Sequence, residues 1–139
     1  MTGVQTCALP IFAAPNLNWY LTEGLRAHSN DKFGLAAEYY KEFLLLAERV
    51  DAPAPDLVWK ARVHLGALLL DFDHYEPANE QFDQIPISFE NYTAGFLKET
   101  TLRCLDRDDD ADAVLDEIIE TSTGAVRERA ISKKEKWNE

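Results

Sequence analysis

Residues 24–40 read GLRAHSNDKFGLAAEYY, and residues 66–82 read GALLLDFDHYEPANEQF. Superimposed, Gly24 and Gly66 are each followed by an aromatic at offset 9 (Phe33, Tyr75), an alanine at 12 (Ala36, Ala78) and an aromatic at 16 (Tyr40, Phe82). Asp31 and Asp73 hold the same place between the two halves. Self-similarity at fixed spacing marks an array of like units. The residue types suit paired helices in close approach. A small residue in the first helix and an alanine in the second let the backbones come together, and the aromatics fill the groove between one pair and the next. A looser third copy is expected at Leu102, Ala111, Val114 and Ile118, with Asp109 at the turn. Each turn aspartate is expected to accept hydrogen bonds from the free N–H groups of the helix it begins.

Working outward, apolar residues recur three and four apart in Leu17, Tyr20, Leu21 and Leu25, and again from Phe33 to Leu44, which predicts two helices from Asn16 to about Arg49. The polar cluster Ser29–Lys32 separates them. Pro53 and Pro55 push the residues before them out of helical geometry, and Asp56 is expected to cap a third helix, Leu57 to Asp71. Asp73 with Glu76 reads as a capping box for a fourth helix that ends before Pro86. Ser88 is expected to cap a fifth running to Leu105. A sixth starts at Asp109 or a neighbour and ends near Ser122–Gly124. Residues 125–139 carry Arg127, Arg129, Lys133, Lys134 and Lys136 and predict a short basic helix or tail. No stretch alternates apolar and polar residues as a strand would. The chain therefore reads as all-α: antiparallel helix hairpins, about three of them, in residues 12–124, then a C-terminal helix.

Residues 1–11, MTGVQTCALPI, contain no charge, unlike all that follows. They lack the positive start and long apolar centre of a secretory signal. The peptide resembles the translation of a common sequencing adapter, which implies an artefactual segment and a natural start lying upstream. Cys7 then carries no meaning, and cytoplasmic and periplasmic locations both stay open. An alternative view of the whole chain follows, as an N-terminally truncated regulatory or assembly segment of a larger protein.

The spacing of small residue, aromatic, alanine and aromatic resembles the tetratricopeptide repeat over about Asn16 to Thr121. The resemblance implies a right-handed superhelical array whose concave groove, lined by the first helix of each pair, binds a protein or peptide. Projected onto this chain, the groove positions are Asn18, Leu21, Leu25, His28, Lys60, Val63, Ala67, Phe96, Glu99 and Arg103. The same positions could instead contact a neighbouring repeat or another copy of the chain. Family members that clamp a partner's C-terminal carboxylate use Lys, Asn and Arg where this chain has Leu21, Leu25, Val63 and Ala67, so a hydrophobic helix or extended peptide is the expected partner. The chain departs from the family's period of 34: Gly24 to Gly66 spans 42 residues and Gly66 to Leu102 spans 36.

Bulk composition sets bounds. The 139 residues suit one modest core, and 46% hydrophobic residues are enough to form it. A formal net charge of −11 argues against nucleic acid or an anionic membrane as main partner; a solvated acidic surface is the preferred reading of the excess, and a leaning toward basic partners the alternative. No run approaches the roughly 18 apolar residues of a membrane span.

Candidate chemistry is sparse. Asp106, Asp108, Asp110 and Glu117 fall on positions 1, 3, 5 and 12 of the calcium-loop template. Position 6 is Ala111, where a glycine is needed for the turn. A solvated acidic turn is the preferred reading, with a calcium-binding helical protein as a further alternative. His28, His64 and His74 lack metal-ligand spacing. Cys104 lies in the apolar-patterned Leu102–Leu105 and is expected to pack as a small residue. No phosphate loop, nucleophile elbow or catalytic triad order is present, so neither an enzyme nor a cofactor is expected.

Overall fold

The computed structural model describes residues 17–50 and 54–138. The adapter-like peptide 1–11 with Cys7, the residues up to Asn16, residues 51–53 with the helix stop expected at Pro53, and Glu139 lie outside them. Among the described residues the chain is all-helical, with seven helices: α1 (Leu17–Ser29), α2 (Phe33–Arg49), α3 (Pro55–Asp71), α4 (Tyr75–Phe82), α5 (Phe89–Cys104), α6 (Asp108–Thr121) and α7 (Gly124–Trp137). The chain divides within α3 into two compact units, one up to Ala61 and one from Arg62.

In the first unit, α2 buries Ala36, Tyr40, Phe43 and Ala47, a stripe at helical spacing. It packs on α1, whose buried face is Leu21, Gly24 and Ala27. Gly24 sets the distance between the helices. A Cβ there would come within 2.6 Å of Tyr40 Cε1, so the fully buried ring lies directly on the α1 backbone. Burying one such side chain contributes on the order of 1.5–3 kcal/mol.

The second unit repeats the device. A Cβ on Gly66 of α3 would come within 2.7 Å of the Phe82 ring of α4, and Arg62 donates to Gln81 Oε1 across the same pair at 3.0 Å. Farther on, Phe96, Leu102, Ala111, Val114, Leu115, Ile118 and Ala130 form one core cluster, drawn from α5, α6 and α7. The start of α5 is irregular. Glu90, Asn91 and Tyr92 adopt left-handed dihedrals (φ 52, 53 and 70°), a conformation that costs L-residues about 1–2 kcal/mol each. Close packing holds it: Gly95 N–H donates to Ile87 O at 3.0 Å, and a Cβ on Gly95 would strike the Ile87 side chain. Tyr92 Oη also donates to Thr121 Oγ1 at 2.9 Å.

Three turns share one geometry, and it corrects the expected register. Asp31, Asp73 and Asp106 all have positive φ (60, 65 and 59°). In each, the following N–H reaches back five residues: Lys32 to Ala27 O, His74 to Leu69 O and Arg107 to Leu102 O, at 2.8, 2.8 and 2.9 Å. The aspartate N–H reaches back three, to His28 O, Leu70 O and Arg103 O. This is the Schellman ending of a helix, with aspartate in the left-handed place usually taken by glycine. The aspartates therefore close the preceding helix rather than capping the next; the cap positions are Lys32, His74 and Arg107, none with a side-chain capping bond. Asp56 and Asp109, likewise expected as caps, lie inside the first turns of α3 and α6, and Ser88 makes no side-chain capping bond.

The third turn residue is thus Asp106, not Asp109, and the third copy moves by three residues. Glu99 stands where Gly24 and Gly66 stand, and offsets 9, 12 and 16 fall on Asp108, Ala111 and Leu115. Ala111 is as fully buried as Ala36 and Ala78, and Leu115 as Tyr40. The distance from Gly66 to this position is 33 residues rather than 36.

Candidate functional site

The projected groove residues divide by environment. Asn18 is exposed, and Leu25, His28, Lys60 and Ala67 are half-buried. Leu21 and Val63 are buried in the core. His28 is tied to its own hairpin, its Nδ1 lying 3.3 Å from Tyr40 Oη. Burial pushes the Tyr40 hydroxyl up to about 12. Near the start of α1, Trp19 packs edge-on against Tyr20 and Tyr39 while remaining half exposed. Burial, then the nearby Glu42 carboxylate, raises the Tyr20 hydroxyl above its ordinary value.

Phe96, Glu99 and Arg103 lie beneath α7. The Arg129 guanidinium sits 4.1 Å from the centre of the Phe96 ring, with Lys133 Nζ at 6.0 Å from the same point. Lys133 also stands 3.5 Å from Glu99 Oε1, an ion pair without a hydrogen bond. Trp137 stacks on the Arg103 guanidinium at 4.5 Å. Arg103 is the hub of this cluster. Its side chain is 6% exposed, and it donates to Glu99 Oε2 at 2.9 Å, Asp112 Oδ1 at 2.8 Å and Asp108 O at 3.3 Å. Burial opposes the charge, but the bonds to Asp112 and Glu99 outweigh it and raise the guanidinium's affinity for its proton. Farther along α7, Lys134 donates to Asp116, which raises the lysine's proton affinity. Glu99, Thr100, Arg103, Cys104, Lys133 and Trp137 line an open depression of about 360 Å³. Cys104 is exposed at its edge, not packed inside as its apolar neighbours suggested. The α5 helix ends there, so the residue meets solvent.

The four calcium candidates are not brought together. Asp106 is in the turn, while Asp108, Asp110 and Glu117 lie on α6, spreading the last three over about 13 Å of helix at 1.5 Å per residue. Asp108 faces Arg103 and Asp110 pairs with Arg107. No group of three or more His, Cys, Asp or Glu among the described residues is arranged to hold a metal ion. None of the described helices is long and apolar enough to cross a membrane.

Nothing in the sequence marks Asp112, Asp116, Lys133, Lys134 and Trp137 as members of one cluster. Their charge and position were visible, but only the packing of α7 on α5 and α6 makes them neighbours. No protein-family model matches the chain, and no curated protein matches its sequence.

Proposed function

We propose that the chain is a protein-interaction module of tetratricopeptide type, a scaffold that takes a partner's helix or extended peptide and carries out no catalysis itself. The observation that supports this reading is the threefold recurrence of one hairpin. A left-handed aspartate turn, a fully buried alanine twelve residues after the reference position and a large buried side chain four residues later recur in all three pairs. Units that cannot bury their faces alone stack, and stacked hairpins present continuous binding surfaces. The shifted titratable groups each have a structural cause. Tyr20 and Tyr40 are raised chiefly by burial, Tyr75 by its hydrogen bond to Asp73, and Arg103 and Lys134 by structural pairing with carboxylates.

On this reading the groove positions that a partner would meet are Asn18, Leu25 and Lys60. Selection from a displayed peptide library against the whole chain tests it. Selected peptides are expected to lose about tenfold or more in affinity on Leu25→Glu or Lys60→Glu, with helicity by circular dichroism unchanged. Selection of no peptide, or binding indifferent to both substitutions, sinks the groove.

A further inference from the structure

The face that α7 turns inward is charged where a packing helix is ordinarily apolar. Val126, Arg129, Ala130, Lys133, Lys134 and Trp137 recur at helical spacing. Ala130 is fully buried and Val126 partly so. The other contacts are cations set on Phe96, Glu99 and Asp116, together with the Trp137 stack on Arg103. Trp137 itself is 53% exposed. Partly exposed ion pairs add little net stability and weaken with salt, yet they discriminate strongly between charge patterns. Little buried apolar area therefore holds α7, while its charge pattern is specified closely. Its attachment suits release: Ser122 and Thr123 are extended, and Gly124 turns the chain at φ 61°.

We propose that the seat beneath α7, formed by Phe96 and Glu99 of α5 and Asp116 of α6, docks a basic helix from a protein partner, with α7 as the resident competitor. The occupant is identified by charge and by template. With Glu99, Asp112 and Asp116 against the single buried cation Arg103, the seat keeps a net negative charge around the Phe96 ring, and the chain's formal net charge of −11 draws basic segments toward it. The helix that fits carries a small residue with a cation one position before it and further cations three and four positions after it, as Arg129, Ala130, Lys133 and Lys134 do. Because α7 occupies the seat in the structure, a partner's apparent affinity is its intrinsic affinity scaled down by the fraction of chains in which the seat is open. The inference rests on the reading of the chain as a binding module and names a second surface for it.

The test uses a fluorescein-labelled peptide of residues 122–138 as the basic helix, titrated with the full chain. Two variants loosen α7 without touching the seat. Ala130→Asp puts a carboxylate into a fully buried position, and Lys133→Ala with Lys134→Ala removes the ionic contacts while leaving buried side chains in place. Peptide affinity is expected to rise about tenfold or more in Ala130→Asp, by a few-fold in the lysine variant, whose lost ion pairs are partly exposed, and to fall as salt is raised. Adding Glu99→Gln and Asp116→Asn to the lysine variant is expected to remove the gain. Should Ala130→Asp lose cooperative melting, the lysine variant alone decides. The seat is refuted if that variant keeps its helicity but binds no tighter than the wild type, or if a peptide with the cations changed to Glu binds equally well. Conversion of the loosened chain to a dimer that excludes the peptide also refutes it, because the occupant is then a second copy. Failure here, with library peptides still lost on Leu25→Glu, leaves the groove standing and removes only the seat.

Discussion

The first and third hairpins share one backbone turn and close it over different interiors. Asp31 and Asp106 hold the same left-handed conformation with the same pair of backward hydrogen bonds. In the first, Gly24 admits the Tyr40 ring onto the α1 backbone. In the third, the corresponding positions hold Glu99 and Leu115. The smaller Leu115 has no ring to lay on the helix, so a Cβ fits opposite it and the side chain beyond can be polar. Glu99 then pairs with Arg103 inside the protein and with Lys133 above it. The turn and the buried alanine define the unit, while the small–aromatic contact is a filling that can be exchanged for an ionic one.

The ionic filling predicts the largest effect. Arg103→Ala leaves the Glu99 carboxylate buried with only the longer Lys133 contact, and removing one partner of a buried pair costs about 3–5 kcal/mol. Replacing both, Glu99→Leu with Arg103→Met, is expected to cost far less or to stabilise, because two desolvated charges leave together. Urea denaturation of both single variants and the double variant measures the coupling. If Arg103→Ala costs under about 1 kcal/mol, the third hairpin is not held ionically.

The glycine filling predicts a smaller loss. Gly24→Val and Gly66→Val drive a side chain into fully buried rings, and overpacking of that kind costs about 1–3 kcal/mol. Gly34→Ala, at an exposed helical site with open space around it, is expected to gain about 0.5 kcal/mol from helix propensity. Equal effects at Gly24 and Gly34 in thermal melts would break the link between close approach and stability.

The first two hairpins were legible because glycine, alanine and aromatics at fixed offsets leave few other uses for those residues. The third was misplaced by three positions for a physical reason. Aspartate serves both as an N-cap acceptor and as a left-handed helix terminus, and the run Asp108–Asp109–Asp110 offered several choices beside Asp106. With Glu99 in the glycine position, nothing local marked the frame. The left-handed turn at Glu90–Tyr92 was equally hidden, since it contains no glycine and depends on Ile87 lying against Gly95. The inward setting of the α7 cations was hidden as well, because their acidic partners lie 18 to 34 residues away in sequence.

The shared turn itself predicts gains. Asp31→Gly and Asp106→Gly relieve a left-handed aspartate and are expected to stabilise by about 0.5–1 kcal/mol, less than the full strain because glycine also frees the unfolded chain. Asp73→Gly is expected to gain least, since Asp73 Oδ1 accepts a hydrogen bond from Tyr75 Oη at 2.9 Å that glycine cannot replace. Equal gains at all three turns would mean that the Tyr75 bond contributes nothing.

The smallest effect at neutral pH separates the aromatic fillings from each other. Tyr40, Phe82 and Leu115 occupy one position, and only the first can ionise. Its hydroxyl lies 3.3 Å from His28 Nδ1, a long contact whose loss in Tyr40→Phe is expected to cost about 0.5 kcal/mol or less. At high pH the order changes. Burial raises the folded hydroxyl to about 12 from the ordinary 10.0, so the folded chain binds this proton more tightly than the unfolded chain. The resulting stability is fully present below pH 10 and is lost as pH rises toward 12. The wild type is therefore expected to lose more of its urea midpoint between pH 9 and pH 11.5 than Tyr40→Phe loses. Parallel losses in the two proteins would show that the ring over Gly24 keeps its hydroxyl in water, and that the close approach buries the ring's edge but not its polar end.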